Sequence, residues 1–216
     1  MLLASEDIPE TTMAVPPPSN PGTPVTPEPT KAALRAELRA ARDRFVFDMA
    51  PGERVRLEAC AARHLTRLID GVAVVALYIA RGSELDCAAV MTAAAERGIA
   101  LALPHVSAPD RPMRFLSWAP GEPLESGWKG LLQPAADAFE RRPDAIVAPL
   151  LGFDSHGGRL GQGAGFYDRA FAALPGVKKF GLGWSIQQRA AIACDPWDVP
   201  VDAIVTEAGV IGEKEG

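Results

Sequence analysis

From residue 31 onward, apolar positions fall either into one-sided stripes or into short unbroken runs, and the two alternate. Leu34, Leu38, Ala41, Phe45 and Met49 recur at spacings of four, three, four and four, which predicts a helix with one apolar face. Lys31, Arg35, Arg39 and Arg42 recur at similar spacing on another face, a pattern that usually marks a solvated surface. After the Pro51-Gly52 break, Leu57, Ala61, Leu65 and Leu68 mark a second helix ending at Asp70-Gly71. Val72 to Ala80 is apolar on both alternating faces, as expected of a parallel strand covered on two sides.

The rhythm continues. Leu85 to Arg97 reads as a helix closed by Gly98, Ile99 to Leu103 as a strand stopped by Pro104, and Met113 to Trp118 as a strand. Ala145 to Leu151 is a strand, Gly165 to Leu174 a helix, Lys179 to Trp184 a strand and Val201 to Thr206 a last strand. Strands alternating with helices predict a single α/β domain over residues 31–210, a three-layer sandwich around a mostly parallel, Rossmann-like sheet.

Composition divides the chain once. Residues 1–30 carry eight prolines, four acidic side chains and no Lys or Arg, which predicts a disordered tail and argues against a signal or transit peptide. That tail holds −4 of the whole-chain −5, so the remainder is nearly neutral and offers nucleic acid no global attraction. No apolar stretch approaches the roughly 20 residues of a membrane helix. Cys60, Cys87 and Cys194 are odd in number, lie far apart and form no C-x-x-C pair, which suits a reducing cytoplasm. A soluble, cytoplasmic monomer acting on a small molecule is expected, without nucleic-acid or membrane partners.

The chemistry concentrates between Ala148 and Arg169, where an apolar run feeds a loop with glycines at 157, 158, 161, 163 and 165. Alternating Gly161, Gly163 and Gly165 free the backbone to take left-handed conformations and turn N–H groups toward one point, while the following helix adds its positive dipole end. An anion site is predicted, with phosphate as guest. The pattern is neither the Walker loop nor the G-x-G-x-x-G of a dinucleotide fold. Backbone amides alone contribute too little to offset the desolvation of a triphosphate, so a cation must assist, and Arg159 is nearest. Asp168, in the first helical turn, is either a charge complementing the helix dipole or a magnesium ligand. Asp195 and Asp198 are further candidate ligands or plain turn formers. Glu84 follows the central strand's carboxyl end as a ligand contact or a cap partner. Phe153, Phe166, Tyr167, Trp118 and Trp184 either stack on a heterocycle or fill the core.

The string Gly152-Phe-Asp-x-x-Gly-x-Arg-Leu-Gly-x-Gly-x-Gly-Phe-Tyr-Asp168 resembles the signature of 5-formyltetrahydrofolate cyclo-ligases, also called methenyltetrahydrofolate synthetases. Lys31-Ala-Ala-Leu-Arg35, Glu84, Leu132-Gln-Pro134 and Asp198 to Glu207 resemble further elements of that family, covering nearly all of residues 31–207. The resemblance implies conversion of 5-formyltetrahydrofolate, with ATP and Mg2+, into 5,10-methenyltetrahydrofolate, ADP and phosphate. It implies that Lys31, Arg35 and the segment Arg159, Leu160, Gly161, Gln162, Gly163, Ala164, Gly165, Phe166 and Tyr167 hold ATP, with Arg159 and Tyr167 catalytic. Ile79, Glu84, Gln162, Gly163, Ala164, Gly165 and Phe166 would line the folate side, and Asp168 and Asp198 would support magnesium. Phe166 stands where the family usually has a tyrosine, Ala164 where it often has Gly or Lys, and Trp197 where Asp198 usually has a polar neighbour. Those departures motivate one alternative, a noncatalytic folate- or nucleotide-binding relative; a phosphosugar isomerase of similar architecture is another.

Overall fold

The computed structural model describes residues 30–212; the proline-rich tail predicted for residues 1–30 lies, but for Thr30, outside the described residues. Helix α1 spans Lys31–Phe47, with the Thr30 hydroxyl accepting from the Ala33 N–H at 3.2 Å as its cap, and α2 spans Glu53–Leu68. The remaining elements follow as β1 Val74–Ala76, α3 Ala88–Glu96, β2 Ala100–His105, β3 Arg114–Ser117, β4 Glu125–Ser126 and β5 Leu132–Gln133. They continue with β6 Ala145–Pro149, β7 Gly152–Phe153, β8 Arg159–Leu160, α4 Phe166–Ala173, β9 Lys178–Leu182, β10 Ala203–Thr206 and β11 Gly209–Ile211.

Seven strands form one sheet in the order β11-β10-β9-β6-β1-β2-β3, and two hairpins, β4-β5 and β7-β8, stand apart from it. Strands β10, β9, β6, β1 and β2 run parallel, and the antiparallel β11 and β3 close the two edges. Period-2 alternation sorts the strand residues between two cores. Val75, Leu101, Leu103, Ala145, Val147, Ala203 and Val205 meet Ala61, Leu65, Val90 and Met91 of α2 and α3. Ala76, Ala102, Ile146, Ala148 and Ile204 meet Ala170 and Phe171 of α4. Helices therefore cover both faces, giving the three layers that two-sided apolar strands require. Helix α1 buries Leu38 against Leu151, Leu160 and Ile192, which sets it over the chain that leaves β6. Among the described residues, no helix is long and apolar enough to cross a membrane.

Several boundaries differ from the periodicity. The run Val72 to Ala80 is buried or half-buried beyond Gly71 except at Ala73, yet only Val74–Ala76 pair as a strand. Past Leu77 the backbone leaves the sheet; the Tyr78 hydroxyl donates to Leu85 O at 2.5 Å, and the Cys87 thiol donates to Tyr78 O at 3.0 Å. Those bonds also explain why α3 begins at Ala88 rather than Leu85, with Asp86 Oδ1 accepting the Ala88 N–H at 2.8 Å. Pro104 does not stop β2: it pairs with Phe115 on β3, two residues past Ala102, the last β2 residue opposite β1. No bond to β1 is lost there. The sequence reading also missed the hairpins β4-β5 and β7-β8 and the edge strand β11, all too short for a periodic signal.

Candidate anion and folate site at the carboxyl edge of the sheet

Beyond the carboxyl end of β6, Leu150 and Leu151 lead into the β7-β8 hairpin, in which Gly152 pairs with Leu160 and Phe153 with Arg159. Asp154 closes it. Its Oδ1 accepts from the His156 and Gly158 N–H groups at 2.8 and 2.9 Å, and its Oδ2 from the Ile192 N–H at 2.9 Å. The glycine segment leaves β8 from this fixed base and enters α4. Gly163 has φ +100° and Gly165, the residue before α4, φ +66°, so both occupy the left-handed region. Gly161 does not, contrary to the alternating expectation; its carbonyl instead accepts Arg35 Nε at 3.0 Å. No backbone N–H between Gly161 and Asp168 finds a protein acceptor among the described residues. A run of unoccupied donors at a helix start is an anion cradle.

The basic face of α1 is more than a solvated surface: only Arg39 of its four cations is exposed, and all four have partners. Lys31 Nζ lies 2.6 Å from Asp195 Oδ2 and 2.8 Å from Asp198 Oδ2, Arg35 grips Gly161, and Arg39 Nη2 donates to Gln162 Oε1 at 2.6 Å. Arg42 Nε donates to Ser83 Oγ at 2.9 Å, and its Nη1 lies 3.9 Å from Glu84 Oε1. One helix face thus touches three loops distant in sequence. Burial lowers the Lys31 ammonium, but hydrogen bonds and charge from Asp195 and Asp198 outweigh it and leave the pKa above its ordinary value. Asp198 moves the other way: burial raises its carboxyl, and Lys31 together with the Asp195 N–H carries it below the usual range.

Arg159 is 8% exposed and paired with Asp168, Nη2 to Oδ1 at 2.5 Å. The Val199 main chain completes the link, its N–H donating to Asp168 Oδ1 at 3.1 Å and its carbonyl accepting Arg159 Nε at 3.2 Å. Asp168 and Arg159 therefore tie the hairpin, α4 and the 195–199 loop together. Leu160 is a core residue packed on Leu38, and its carbonyl accepts the Leu151 N–H at 2.9 Å. Phe166 meets Trp128 edge to face at 5.3 Å between centroids and lies under the Arg169 guanidinium at 4.9 Å. Arg169 also donates to Ala164 O at 3.0 Å. Tyr167 turns to Phe171 instead, and burial raises its phenol far above its ordinary value, so it acts only as the protonated hydroxyl.

Glu84 is 9% exposed, with Oε1 3.4 Å from Gln162 Nε2 and Oε2 accepting the Arg81 N–H at 3.0 Å. Burial pushes its carboxyl above the usual range, against the pull of the Arg81 N–H and of the Arg42 charge. Ile79 packs half-buried on the α2–α3 core nearby. Of the remaining matched elements, Gln133 and Glu207 are structural: Gln133 Oε1 accepts the Val106 N–H at 3.0 Å and Glu207 Oε2 the Ser185 N–H at 2.9 Å. Trp118 and Trp184 pack in or against the α2–α3 core, and Phe153 lies in the α4 core. Sequence reading missed Trp128, and with it Lys129, a non-glycine residue at φ +52° whose ammonium lies 4.5 Å from the Trp128 ring centroid.

For magnesium, the fit is one of oxygen chemistry. Mg2+ takes one or two carboxylates with phosphate oxygens and water, and Asp168 and Asp198 each keep one carboxylate oxygen free of protein donors among the described residues. No group of three or more His, Cys, Asp or Glu side chains placed to hold a metal occurs among those residues, so any such ion would need further oxygens from water or a bound ligand. A concavity of about 580 Å³ at the opposite edge, beside Arg142, Asp144 and Lys178, offers no comparable cradle. Its Asp144 is occupied by the Ala73 and Val74 N–H groups, each at 2.9 Å.

Fold and site define an α/β protein with a run of free backbone amides beyond the carboxyl end of a central parallel strand. Residues 27–207 match the model of the 5-formyltetrahydrofolate cyclo-ligase family, and the chain belongs to that family. It is 31% identical over 102 residues to the 5-formyltetrahydrofolate cyclo-ligase of Escherichia coli K12, a match covering 44% of this chain and 56% of that protein. The Haemophilus influenzae enzyme of the same name is 34% identical over 94 residues, covering 40% and 50%. The chain thus spans about half the length of these curated relatives in each match. The Aquifex aeolicus 5,10-methenyltetrahydrofolate synthetase superposes with a TM-score of 0.72 at 28% identity, covering 86% of this chain and 94% of that one. The Mycoplasma pneumoniae synthetase, at 22% identity and a TM-score of 0.66, shows the same fold.

Proposed function

We propose that this protein converts 5-formyltetrahydrofolate and ATP into 5,10-methenyltetrahydrofolate, ADP and phosphate, as a cytoplasmic monomer whose working domain is residues 31–210. The unoccupied amides between Gly161 and Asp168, set beside Arg35 and Arg159, carry this reading. A formamide carbon is a poor electrophile. Transfer of the terminal phosphoryl group to the formyl oxygen, with ADP leaving, creates a carbon that the N10 amine attacks; N10 loses its proton and phosphate departs as the ring closes. Such a reaction asks the protein for alignment and charge neutralisation rather than covalent chemistry.

The loop amides and Arg159 neutralise the phosphates, Lys31 and Arg35 border the nucleotide, and Tyr167 keeps its proton and serves as a hydrogen-bond donor. Asp168 and Asp198 would hold magnesium, which when bound spreads the negative charge of the phosphates. Ile79, Glu84, Gln162 and Phe166 face the folate, and the Phe166 ring is already seated on Trp128 without needing a hydroxyl.

Purified protein given ATP, magnesium and 5-formyltetrahydrofolate is expected to produce the near-ultraviolet absorbance of the methenyl product together with ADP. No product at high protein concentration overturns the proposal, and thermal stabilisation by the ligands without ADP release identifies a noncatalytic binder instead. Gly163→Ala tests the cradle directly. A Cβ at φ +100° is strained, by roughly 1–2 kcal/mol, and would also sit 3.4 Å from the Arg35 guanidinium carbon. A rise of about tenfold in KM for ATP is expected; an unchanged KM removes the loop from the nucleotide site.

A further inference from the structure

Arg42 is a guanidinium 5% exposed at the end of the α1 basic row, and its Nη1 has no hydrogen-bond partner among the described residues. Its other contacts aim it. Nε donates to Ser83 Oγ, and the Ser83 hydroxyl in turn donates to Asp43, so the turn preceding Glu84 is fixed to the helix. Its free Nη1 faces the buried Glu84 carboxylate across 3.9 Å, beyond hydrogen-bond reach but well within the range in which an opposite charge governs a buried acid.

We propose that Arg42 is a positioning residue of the cyclo-ligase reaction: it keeps the Glu84 carboxylate ionised and turned toward Gln162, on the folate side of the glycine segment. This rests on the cyclo-ligase reading. A buried carboxylate without a cation beside it takes up a proton and ceases to be a pure acceptor, so a folate N–H would lose its partner. Other groups do not replace Arg42. Arg54 of α2 donates to the carbonyls of Gly82 and Glu84 and pairs with Glu58, holding main chain rather than the carboxylate. Arg81 offers its N–H and its charge from the same turn, with an exposed side chain. Tyr78, Asp86 and Cys87 from the flanking chain, and Tyr167 from α4, are neutral or negative. Burial raises the thiol of Cys87 to about 12, so it adds no charge near neutrality.

The sign follows. Glu84 already titrates above its ordinary value, and removing the Arg42 charge moves it higher, so activity that needs the carboxylate is lost at a higher pH as acid is added. Arg42→Gln is expected to raise the midpoint of the acidic limb of kcat/KM for 5-formyltetrahydrofolate by about one pH unit, Arg42→Lys by less, with KM for ATP unchanged. Carboxyl-carbon NMR of Glu84, assigned with Glu84→Gln, should show the same displacement without substrate. Should Arg42→Gln not fold, Ser83→Ala, which frees the guanidinium, is expected to move limb and resonance in the same direction. Lower activity at every pH with an unmoved limb and resonance overturns the assignment and shows a structural side chain only. A wild type that makes no product overturns the cyclo-ligase reading and the positioning role with it, while product with an unmoved limb overturns the role of Arg42 alone.

Discussion

Asp168→Ala is expected to lower kcat by roughly 10²- to 10³-fold at saturating magnesium, the scale on which removal of one preorganised charge-stabilising group is felt. The sequence alone predicts that this change leaves folding intact, since a carboxylate in a first helical turn is dispensable to the helix. The Arg159 pair changes that expectation. Arg159 has a side chain only 6% exposed, and removal of Asp168 leaves it without its carboxylate. Breaking a buried pair from one side costs about 3–5 kcal/mol, and the 17% exposure of Asp168 places this case toward the lower end. Asp168→Asn separates the two effects, because it still accepts the Val199 N–H while losing the charge. Turnover of both variants, beside their thermal midpoints, decides the matter: a stability loss with wild-type turnover would make Asp168 a strut and nothing more.

Asp154→Ala is expected to be the most destabilising single change near the site. Three main-chain N–H groups, those of His156, Gly158 and Ile192, end on this 5% exposed carboxylate. Each bond to a charged acceptor contributes roughly 1.5–3 kcal/mol, and the buried Gly158 and Ile192 donors would have no substitute. A net loss of about 3–5 kcal/mol corresponds to a fall of roughly 6–20 °C in thermal midpoint for a domain of this size. Asp154→Asn keeps an acceptor for some of these donors and should lose less. Calorimetry that found the alanine variant within a degree of the parent would show that the hairpin is held some other way.

Asp154 shows what the sequence withheld. In the string it is one more polar residue between glycines, and a pair of two-residue strands gives no alternation to announce that the segment is a hairpin with a carboxylate at its tip. The larger elements were legible for the opposite reason. The five parallel strands are apolar on both faces and α1 and α2 carry long one-sided stripes, so periodicity located every long element, and the errors at Val72 to Ala80 and Leu85 lie where side-chain bonds to Tyr78 and Asp86 draw the backbone out of register. Glycine spacing correctly marked a segment of free amides, although only Gly163 and Gly165 of the alternating three adopt left-handed backbone. The α1 cations were misjudged on composition, since charge on a helix face reads as solvated whether or not a loop closes over it. Arg39 and Arg42 carried the same spacing as Lys31 and Arg35, and only tertiary structure shows that each of the four has its own partner.

Those partners lie far along the chain: Lys31 reaches residues 164 and 167 positions later, and Arg35 and Arg39 reach residues 126 and 123 positions later. During synthesis α1 therefore leaves the ribosome long before the partners of these three cations have been made. Lys31 stays unclaimed until the 195–198 segment emerges, so under the proposed function a nascent chain lacking that segment is expected to have an unfinished nucleotide pocket.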